Sequence, residues 1–505
     1  MRIILTSIFL GILPPAAVDS AQSAETARRG RLSFGWAGES ITPSKPVAIG
    51  GQYHTRISAN VHDPLTVTAL ALETRDDAGV IAQAVWVSCD LVGIRAGSVA
   101  NIRKLAAEAL PDLDAKKILV SATHTHTAPA IFDVTDPPAH PYDFMGSFAY
   151  RIPAGQQDLM HPKEFLAFFE HQAAAAVIAA WKSRQPGEVG SALGHASVAR
   201  NRRAVFFDGT TRMYGSTADP GFSHTEGTSE DSLDVLLFRR DGKLTGMALT
   251  IYCPSQEMEG ETYLSADFWH DTRKLLRERF GPDLQVLPLC GASGDQSPHL
   301  QVGKQTEADM LARRKLEYRQ EIARRIADAV GDVADLAGST ARGDVLLEHR
   351  VETIPLPVWK VSDARLAEAV AAFEAGKDRL DQLSPVDYIN WRVSRTMIAR
   401  HHLQKTEPSY QAEIHALRLN DLALITNPFE LFTDYCMRIK ARSPATQTSV
   451  VQLTADSPGY LPTERAVQGG GYSARIDDGV VGPEGGRVLV EEAVRMLKSL
   501  WEAPK

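Results

Sequence analysis

The chain has 505 residues, a formal net charge of −8 at pH 7, and 44% hydrophobic against 23% charged residues. These values are ordinary for a globular protein with a large core. The basic residues are dispersed among acidic ones, which argues against nucleic-acid binding. Four cysteines in a chain of this length exclude a disulfide framework as the basis of the fold.

The N-terminus predicts export. Arg2 precedes an apolar run over residues 3–13, and small residues follow as far as Ala24, a pattern typical of a signal peptide. We therefore divide the chain into a signal peptide, residues 1–24, and one catalytic-type domain, residues 25–505. No later segment reaches the roughly 18 apolar residues that a membrane-spanning helix needs. The sequence predicts a soluble periplasmic or secreted protein whose contact with a membrane surface is transient.

Strand and helix patterns alternate along most of the chain. This alternation predicts an α/β protein in which mixed β-sheets are flanked by helices within one large domain. In chain order, the predicted strands cover residues 67–72, 84–89, 118–120, 233–238, 246–252 and 422–426, with Asp241-Gly242 as a hairpin turn. The predicted helices cover residues 99–110, 163–182, 267–280, 308–334, 429–442 and 488–501, with a helical block over 364–404. Residues 133–157 predict a long loop at the rim of a cleft.

Two histidines follow the predicted strand that ends at Val120, in the segment Ser121-Ala-Thr-His-Thr-His-Thr-Ala-Pro129. In an extended chain, side chains two residues apart point to the same side, so His124 and His126 are expected to project into one cleft. Two imidazoles at a strand end suit a metal site, where one binds the ion and the other acts as acid or base. A hydrogen-bonded structural loop is the alternative.

A second motif, Gly294-Asp-Gln-Ser-Pro298, follows the apolar run 284–290. Its glycines predict a turn that presents Asp295 and Ser297. With the histidine pair and several later segments, this motif resembles the neutral/alkaline, non-lysosomal ceramidase family. The similarity runs from about Ser33 to Tyr472. The segments that carry it are Ile41-Thr-Pro43, Thr123-His-Thr-His126, Asn201-Arg202, Gly294-Asp-Gln-Ser-Pro298, Asn427-Pro-Phe-Glu430 and Gly459-Tyr-Leu-Pro-Thr463.

That family consists of exported zinc amidohydrolases, which cleave ceramide into sphingosine and a fatty acid. The resemblance implies Zn²⁺ ligands at His124, Glu430 and Tyr460, and a fourth at Cys253, where the family has a histidine. A thiolate is a competent zinc ligand, but its charge would raise the pKa of metal-bound water. Two alternatives stay open. Cys253 is a small core residue beside a site completed by another group such as His270, or it is the nucleophile of a Cys–His mechanism.

The resemblance also implies catalytic roles. His126 would lie beside the scissile amide and give a proton to the leaving amine, while Arg202 and Tyr472 would line the reaction centre and hold the oxyanion. Ser297 is implied either as a nucleophile or as a substrate-positioning hydroxyl, with Asp295 helping to orient the substrate.

Each of these residues, taken singly, also has a purely structural interpretation. Glu430 at the start of a predicted helix would interact favourably with the helix dipole. Tyr460 after a glycine is typical of a packed loop residue. Arg202 is compatible with a surface ion pair, and Asp295 with a turn. Their joint appearance in family order favours the catalytic interpretation.

The sequence thus predicts a zinc-dependent amidohydrolase that acts on an N-acyl lipid, ceramide above all. One alternative is a hydrolase of another exported N-acyl amide or ester; the other is a catalytically silent binding protein of the same fold. The alternatives rest on Cys253 and on His299, where the family usually has asparagine. They rest as well on the short segment after Tyr472, which leaves no room for the C-terminal β-sandwich domain of fuller family members.

Overall fold

The structure is a computed structural model that describes residues 28–52, 54–132, 140–142 and 158–502. The predicted signal peptide lies outside the described residues, as does most of the predicted loop 133–157. The described residues form three main β-sheets, and helices cover one face of each. This arrangement confirms the predicted α/β fold of mixed sheets flanked by helices in a single large domain.

The first sheet is antiparallel except for its last pair of strands, which is parallel. In spatial order its strands are Asp344–Val345, Gly30–Ser40, Thr66–Asp76, Gly79–Cys89 and Ile118–Ala122, with Gln185–Pro186 beside Gly30–Ser40. Helices Ala96–Ala109 and Pro162–Lys182 pack on one face. Because the central strand Thr66–Asp76 is buried on both faces over most of its length, its segment 69–72 is continuously apolar rather than alternating.

In the second sheet, Lys243–Ile251 and Gln285–Cys290 form a parallel pair, and the other neighbouring strands are antiparallel. Its hairpin turn is the predicted Asp241-Gly242, whose φ angles of 50° and 74° match a type I′ turn. The spatial order is Gln285–Cys290, Lys243–Ile251, Ser232–Arg240 and Glu188–His195, covered by helices Phe268–Phe280 and Tyr318–Ser339.

The third sheet again ends in a parallel pair. Its spatial order is Leu347–Pro357, Ser409–Leu419, Leu422–Thr426 and Gln447–Val451, covered by helices Thr433–Arg442 and Pro483–Ser499. Helices Asp363–Gly376 and Pro385–Leu403 form the predicted helical block and pack on each other.

Shorter elements connect these layers. The short strands are Ala48–Ile49, Arg56–Ile57, Asn60–Val61, Arg200–Asn201, Arg203–Phe206, Thr211–Met213, Phe222–Thr225, Tyr263–Leu264, Gln296–Ser297, Glu430–Leu431 and Tyr460–Leu461. The remaining helices are Lys304–Arg314, Glu464–Gly469 and the 3₁₀ turns Ala115–Lys117, Leu380–Gln382 and Ile476–Asp478.

The inner faces of the three sheets share one apolar core. Its large side chains include Leu70, Trp86, Phe238, Leu287, Leu417 and Val451, at least one from each sheet. The carboxyl ends of the three parallel pairs meet at the same side of this core, where Ser121 bridges to Thr454 and Gly291 to Val451. Loops that follow parallel strands at such an edge are the usual place for a binding site in α/β proteins.

Two predicted helices were wrong in extent. The predicted helix 308–334 is two helices, because Lys315 adopts a left-handed φ of 56° and Glu317 starts the second helix with a capping box to Gln320. The predicted helix 429–442 begins only at Thr433, so Glu430 lies in a short strand and not in a first helical turn. Within the described part of the chain, none of the helices is both long and apolar enough to cross a bilayer.

Candidate active site

The two histidine side chains converge, as the sequence predicts, but not through strand alternation. The first sheet's last strand ends at Ala122, and His124 has a left-handed φ of 66°. The two Nε2 atoms lie 3.3 Å apart, with the rings at 85° to each other. The Cβ of any residue replacing Gly51 would lie 2.6 Å from the His126 ring, so close packing of the backbone holds that ring in place.

His124 directs a ring nitrogen at a carboxylate. Its Nδ1 donates a hydrogen bond of 2.5 Å to the Val92 carbonyl, since a carbonyl can only accept. In the neutral ring, Nε2 then carries the lone pair. That Nε2 lies 3.3 Å from Glu430 Oε2. Two acceptor atoms at this distance in a buried site need a positive charge between them, either a proton or a metal ion.

Glu430 and Tyr460 come from separate segments that pair as short parallel strands, with the two residues in register. Burial alone would raise the pKa of Glu430, but the charges of His124 and Arg202, together with hydrogen bonds from His124 and Tyr460, hold that pKa below its ordinary value. Burial, followed by the Glu430 charge, raises the pKa of Tyr460 well above its ordinary value. The site therefore contains an ionised carboxylate beside a neutral phenol.

Arg202 is a buried cation that joins these groups to the Gly-Asp-x-Ser loop. Its Nη2 donates to the Tyr460 hydroxyl at 3.1 Å and to the Gly294 carbonyl at 3.0 Å. The surface-pair interpretation of this arginine is therefore wrong. Tyr472 also reaches the cluster, with its hydroxyl 3.4 Å from that of Tyr460. Burial, followed by the Tyr460 charge, raises the pKa of Tyr472 well above its ordinary value.

Ser297 lies in a hydrogen-bond network at the edge of the cluster. Its hydroxyl accepts from the Tyr214 hydroxyl at 2.9 Å, from Gln256 Nε2 at 3.4 Å and from the His299 backbone at 3.1 Å. Within the described residues, these partners do not include a general base. The arrangement suits a substrate-positioning hydroxyl better than an activated nucleophile. Sequence reasoning did not assign Tyr214 or Gln256 to the site. Their only signal is that Tyr214 follows Asn201-Arg202 and Gln256 follows Cys253 in the sequence.

Asp295 is used structurally. Its Oδ1 accepts from the backbone and hydroxyl of Thr433, and its Oδ2 accepts from Asn201 Nδ2 at 2.9 Å. Burial raises the pKa of Asp295 above its ordinary value despite the hydrogen bonds from Thr433 and Gln296. A role of Asp295 in orienting the substrate stays a prediction. Asp295 fixes the loop that carries Arg202 against the start of the helix Thr433–Arg442.

The structure does not bring Cys253 into this cluster. The side chain is 1% exposed and lies in the apolar core of the second sheet with Phe268 and Trp269. Burial is the largest cause that raises the pKa of the Cys253 thiol well above its ordinary value, and the charges of Cys290 and Asp267 add to it. His270, the alternative ligand, instead lies 3.9 Å from Asp63.

The donor atoms that do converge fit a metal ion in part. Two ligands bound about 2.0–2.1 Å from one tetrahedral zinc ion lie roughly 3.3–3.4 Å apart. The separation of His124 Nε2 and Glu430 Oε2 matches this value. No group of three or more His, Cys, Asp or Glu side chains in the described part of the chain could hold a metal ion. Since Tyr460 is not one of these residue types, the fit rests on a histidine, a carboxylate and a phenol.

Comparison with known proteins establishes the fold. No family model and no curated protein matches the sequence. The solved structure of neutral ceramidase from Pseudomonas aeruginosa matches with a TM-score of 0.69 at 17% identity, over 94% of this chain and 75% of that one. A ceramidase complexed with C2 matches with a TM-score of 0.65 at 15% identity, over 93% and 75% of the two chains. The chain therefore has the fold of these ceramidases.

Proposed function

We propose that the protein is a zinc-dependent amidohydrolase that cleaves the amide bond of an N-acyl lipid, with ceramide cleaved to sphingosine and a fatty acid as the reaction that fits best. One observation carries the proposal. In a chain with the ceramidase fold, His124, Glu430 and Tyr460 converge from three distant segments, and His124 Nε2 and Glu430 Oε2 face each other at 3.3 Å. The resemblance of the surrounding motifs to the ceramidase family supports the same assignment.

His124, Glu430 and Tyr460 would hold the ion, and three protein ligands with an open position are the pattern of catalytic zinc sites. When bound, zinc supplies a Lewis acid for the amide carbonyl and lowers the pKa of a water molecule. Cys253 is not needed in this ligand set. Its replacement of a histidine therefore removes a ligand relative to the family rather than changing that ligand's chemistry.

His126 is the group that moves the proton. Burial, with smaller contributions from the charges of His124 and Arg56, holds the pKa of His126 well below its ordinary value. The imidazole is therefore neutral and able to take a proton from the attacking water. The same proton then goes to the nitrogen of the breaking C–N bond, because an amine is a poor leaving group unless it is protonated.

Arg202 and Tyr472 would stabilise negative charge on the former carbonyl oxygen. The guanidinium is buried and is fixed by two hydrogen bonds, to Tyr460 and Gly294, so it needs little reorganisation during the reaction. The Tyr472 hydroxyl, which donates to Tyr460 at 3.4 Å, would turn its proton to the oxyanion as a second, neutral donor. Ser297, held by Tyr214, would orient the substrate amide.

The test combines metal analysis with hydrolysis. Purified protein should contain zinc near one ion per chain and release fatty acid from a fluorogenic ceramide. Glu430→Gln should lose both properties. Glu413→Gln should keep both, because this carboxylate is paired with Arg103 and His415 in a separate cluster.

Two outcomes would contradict the proposal. Zinc-loaded protein that releases fatty acid neither from ceramide nor from short N-acyl substrates would favour a binding protein. Cleavage of short N-acyl amides or esters alone would favour the alternative hydrolase. Export remains a prediction from residues 1–24, to be checked by sequencing the N-terminus of the protein recovered from the periplasm or medium.

A further inference from the structure

A groove of about 470 Å³ opens beside the candidate site. One wall is the exposed helix Lys304–Arg314, here called the rim helix, which contributes Ala308 and Leu311 together with the oppositely charged Lys304 and Glu307. Leu300 and the ring of Tyr318 add further apolar surface. At the inner end lies Tyr214, whose hydroxyl donates to Ser297 at 2.9 Å. The groove therefore begins where the proposed reaction centre ends.

Glu259 stands at this inner end, between two histidines. Its Oε1 lies 3.2 Å from His299 Nε2, and its Oε2 lies 3.8 Å from His126 Nδ1. The side chain is 24% exposed, so it is available to a molecule in the groove. The position is also rigid, because Arg56 donates both to the Glu259 carbonyl at 2.7 Å and to the His126 carbonyl at 2.6 Å.

Amide hydrolysis produces ions of opposite charge. Water adds its oxygen to the carbonyl carbon, the C–N bond breaks, and one proton from that water reaches the nitrogen through His126. The carboxylic acid then loses its proton and the free amine gains one at neutral pH, which gives a carboxylate and an alkylammonium. A fixed carboxylate beside His126 attracts the alkylammonium and repels the fatty acid anion.

We propose that this groove binds the amine half of the substrate, with Glu259 as the counter-ion of the alkylammonium product and the apolar wall in contact with its carbon chain. The inference rests on the proposed amidohydrolase function for the identity of the reaction. It assigns the two halves of the substrate to different sides of the site, with the acyl half away from Glu259.

His299 competes for the same carboxylate. Burial lowers the pKa of His299, but the hydrogen bond and charge of Glu259 outweigh burial and raise that pKa above its ordinary value. When protonated, the His299 ring would occupy one oxygen of Glu259, since its Nε2 faces Oε1. Removing it with His299→Asn should leave the carboxylate free and strengthen amine binding, a change opposite in sign to the loss of Glu259 itself.

The test measures binding without turnover, using n-octylammonium chloride and sodium octanoate as separate probes. Isothermal titration of the full-length purified protein at 0.15 M salt should show octylammonium binding that weakens about tenfold in Glu259→Gln. Octanoate affinity should not fall in this variant. Asp309→Asn changes the same charge on the exposed surface of the rim helix and should alter octylammonium affinity less than twofold.

Equal octylammonium affinity in wild type and Glu259→Gln would overturn the proposal, as would an equal loss in Asp309→Asn. Weaker binding in His299→Asn, with unchanged thermal stability, would also count against it. The result is independent of the reaction assignment. Glu259-dependent octylammonium binding in a protein that hydrolyses no amide would keep the amine site and refute the proposed function.

Discussion

Cys253→Ala tests directly where the metal ligands lie. The structure buries this thiol in the core of the second sheet, among Phe268 and Trp269, and raises its pKa well above the ordinary value. The neighbours of this thiol are apolar core side chains and not His124 or Glu430, so the variant should keep zinc near one ion per chain. The deletion removes one buried sulfur atom, comparable in size to a methylene group, and should cost about 1 kcal/mol of unfolding free energy.

The assay is metal content after gel filtration in zinc-free buffer, together with thermal unfolding with and without added zinc. Zinc at about 100 times its Kd should stabilise the fold by about 2.7 kcal/mol. This stabilisation should survive in Cys253→Ala and disappear in Glu430→Gln. A folded Cys253→Ala variant that loses its zinc would refute the reasoning, and would show that the thiolate is the fourth ligand implied by the family resemblance.

Three further predictions concern the site and its support. Arg202→Lys should lower kcat about 100-fold or more with little change in KM, because one fixed oxyanion donor is lost; a change confined to KM would contradict this role. Gly294→Ala should unfold at a markedly lower temperature, because the added Cβ would lie 2.2 Å from a backbone oxygen. Gly260→Ala is the control, since a Cβ at that position meets nothing within 4 Å. Equal melting temperatures of the two variants would be inconsistent with this packing. Burial favours a higher pKa for Glu413, but hydrogen bonds from its histidine and arginine neighbours outweigh burial and lower that pKa to about 2. The ionised Glu413 therefore stabilises the fold above about pH 4.5, and this stabilisation is lost as the pH falls toward 2. The difference in melting temperature between wild type and Glu413→Gln should shrink across that interval, and a constant difference would exclude this linkage.

The sequence predicted most elements from local patterns. Strands such as Thr66–Asp76 and helices such as Pro162–Lys182 have clear apolar runs or helical periodicity. The turn at Asp241-Gly242 was confirmed because both residues tolerate positive φ. The prediction of one continuous helix over 308–334 was wrong. The left-handed conformation of Lys315 interrupts it, and no local sequence signal marks that break in the charged helical pattern.

For the candidate site, motif order identified the residues that converge but not all of their environments. Cys253 fits the position of a family ligand in the sequence, whereas its burial depends on helix Phe268–Phe280 packing over it. Glu259 carried no sequence signal, because a single glutamate in a loop is usually solvated. Its contacts with His126 and His299 arise from three segments of the chain.

The sequence by itself determined the alternation of strands and helices and the loops that carry polar side chains, because apolar periodicity and turn residues act over a few positions. Only the tertiary structure decided which of those side chains share a site. The carboxyl ends of three parallel strand pairs meet around one apolar core, and that meeting places His124 against Glu430 while it leaves Cys253 buried. Distances of a few ångströms between residues hundreds of positions apart depend on packing between sheets, which no local pattern encodes.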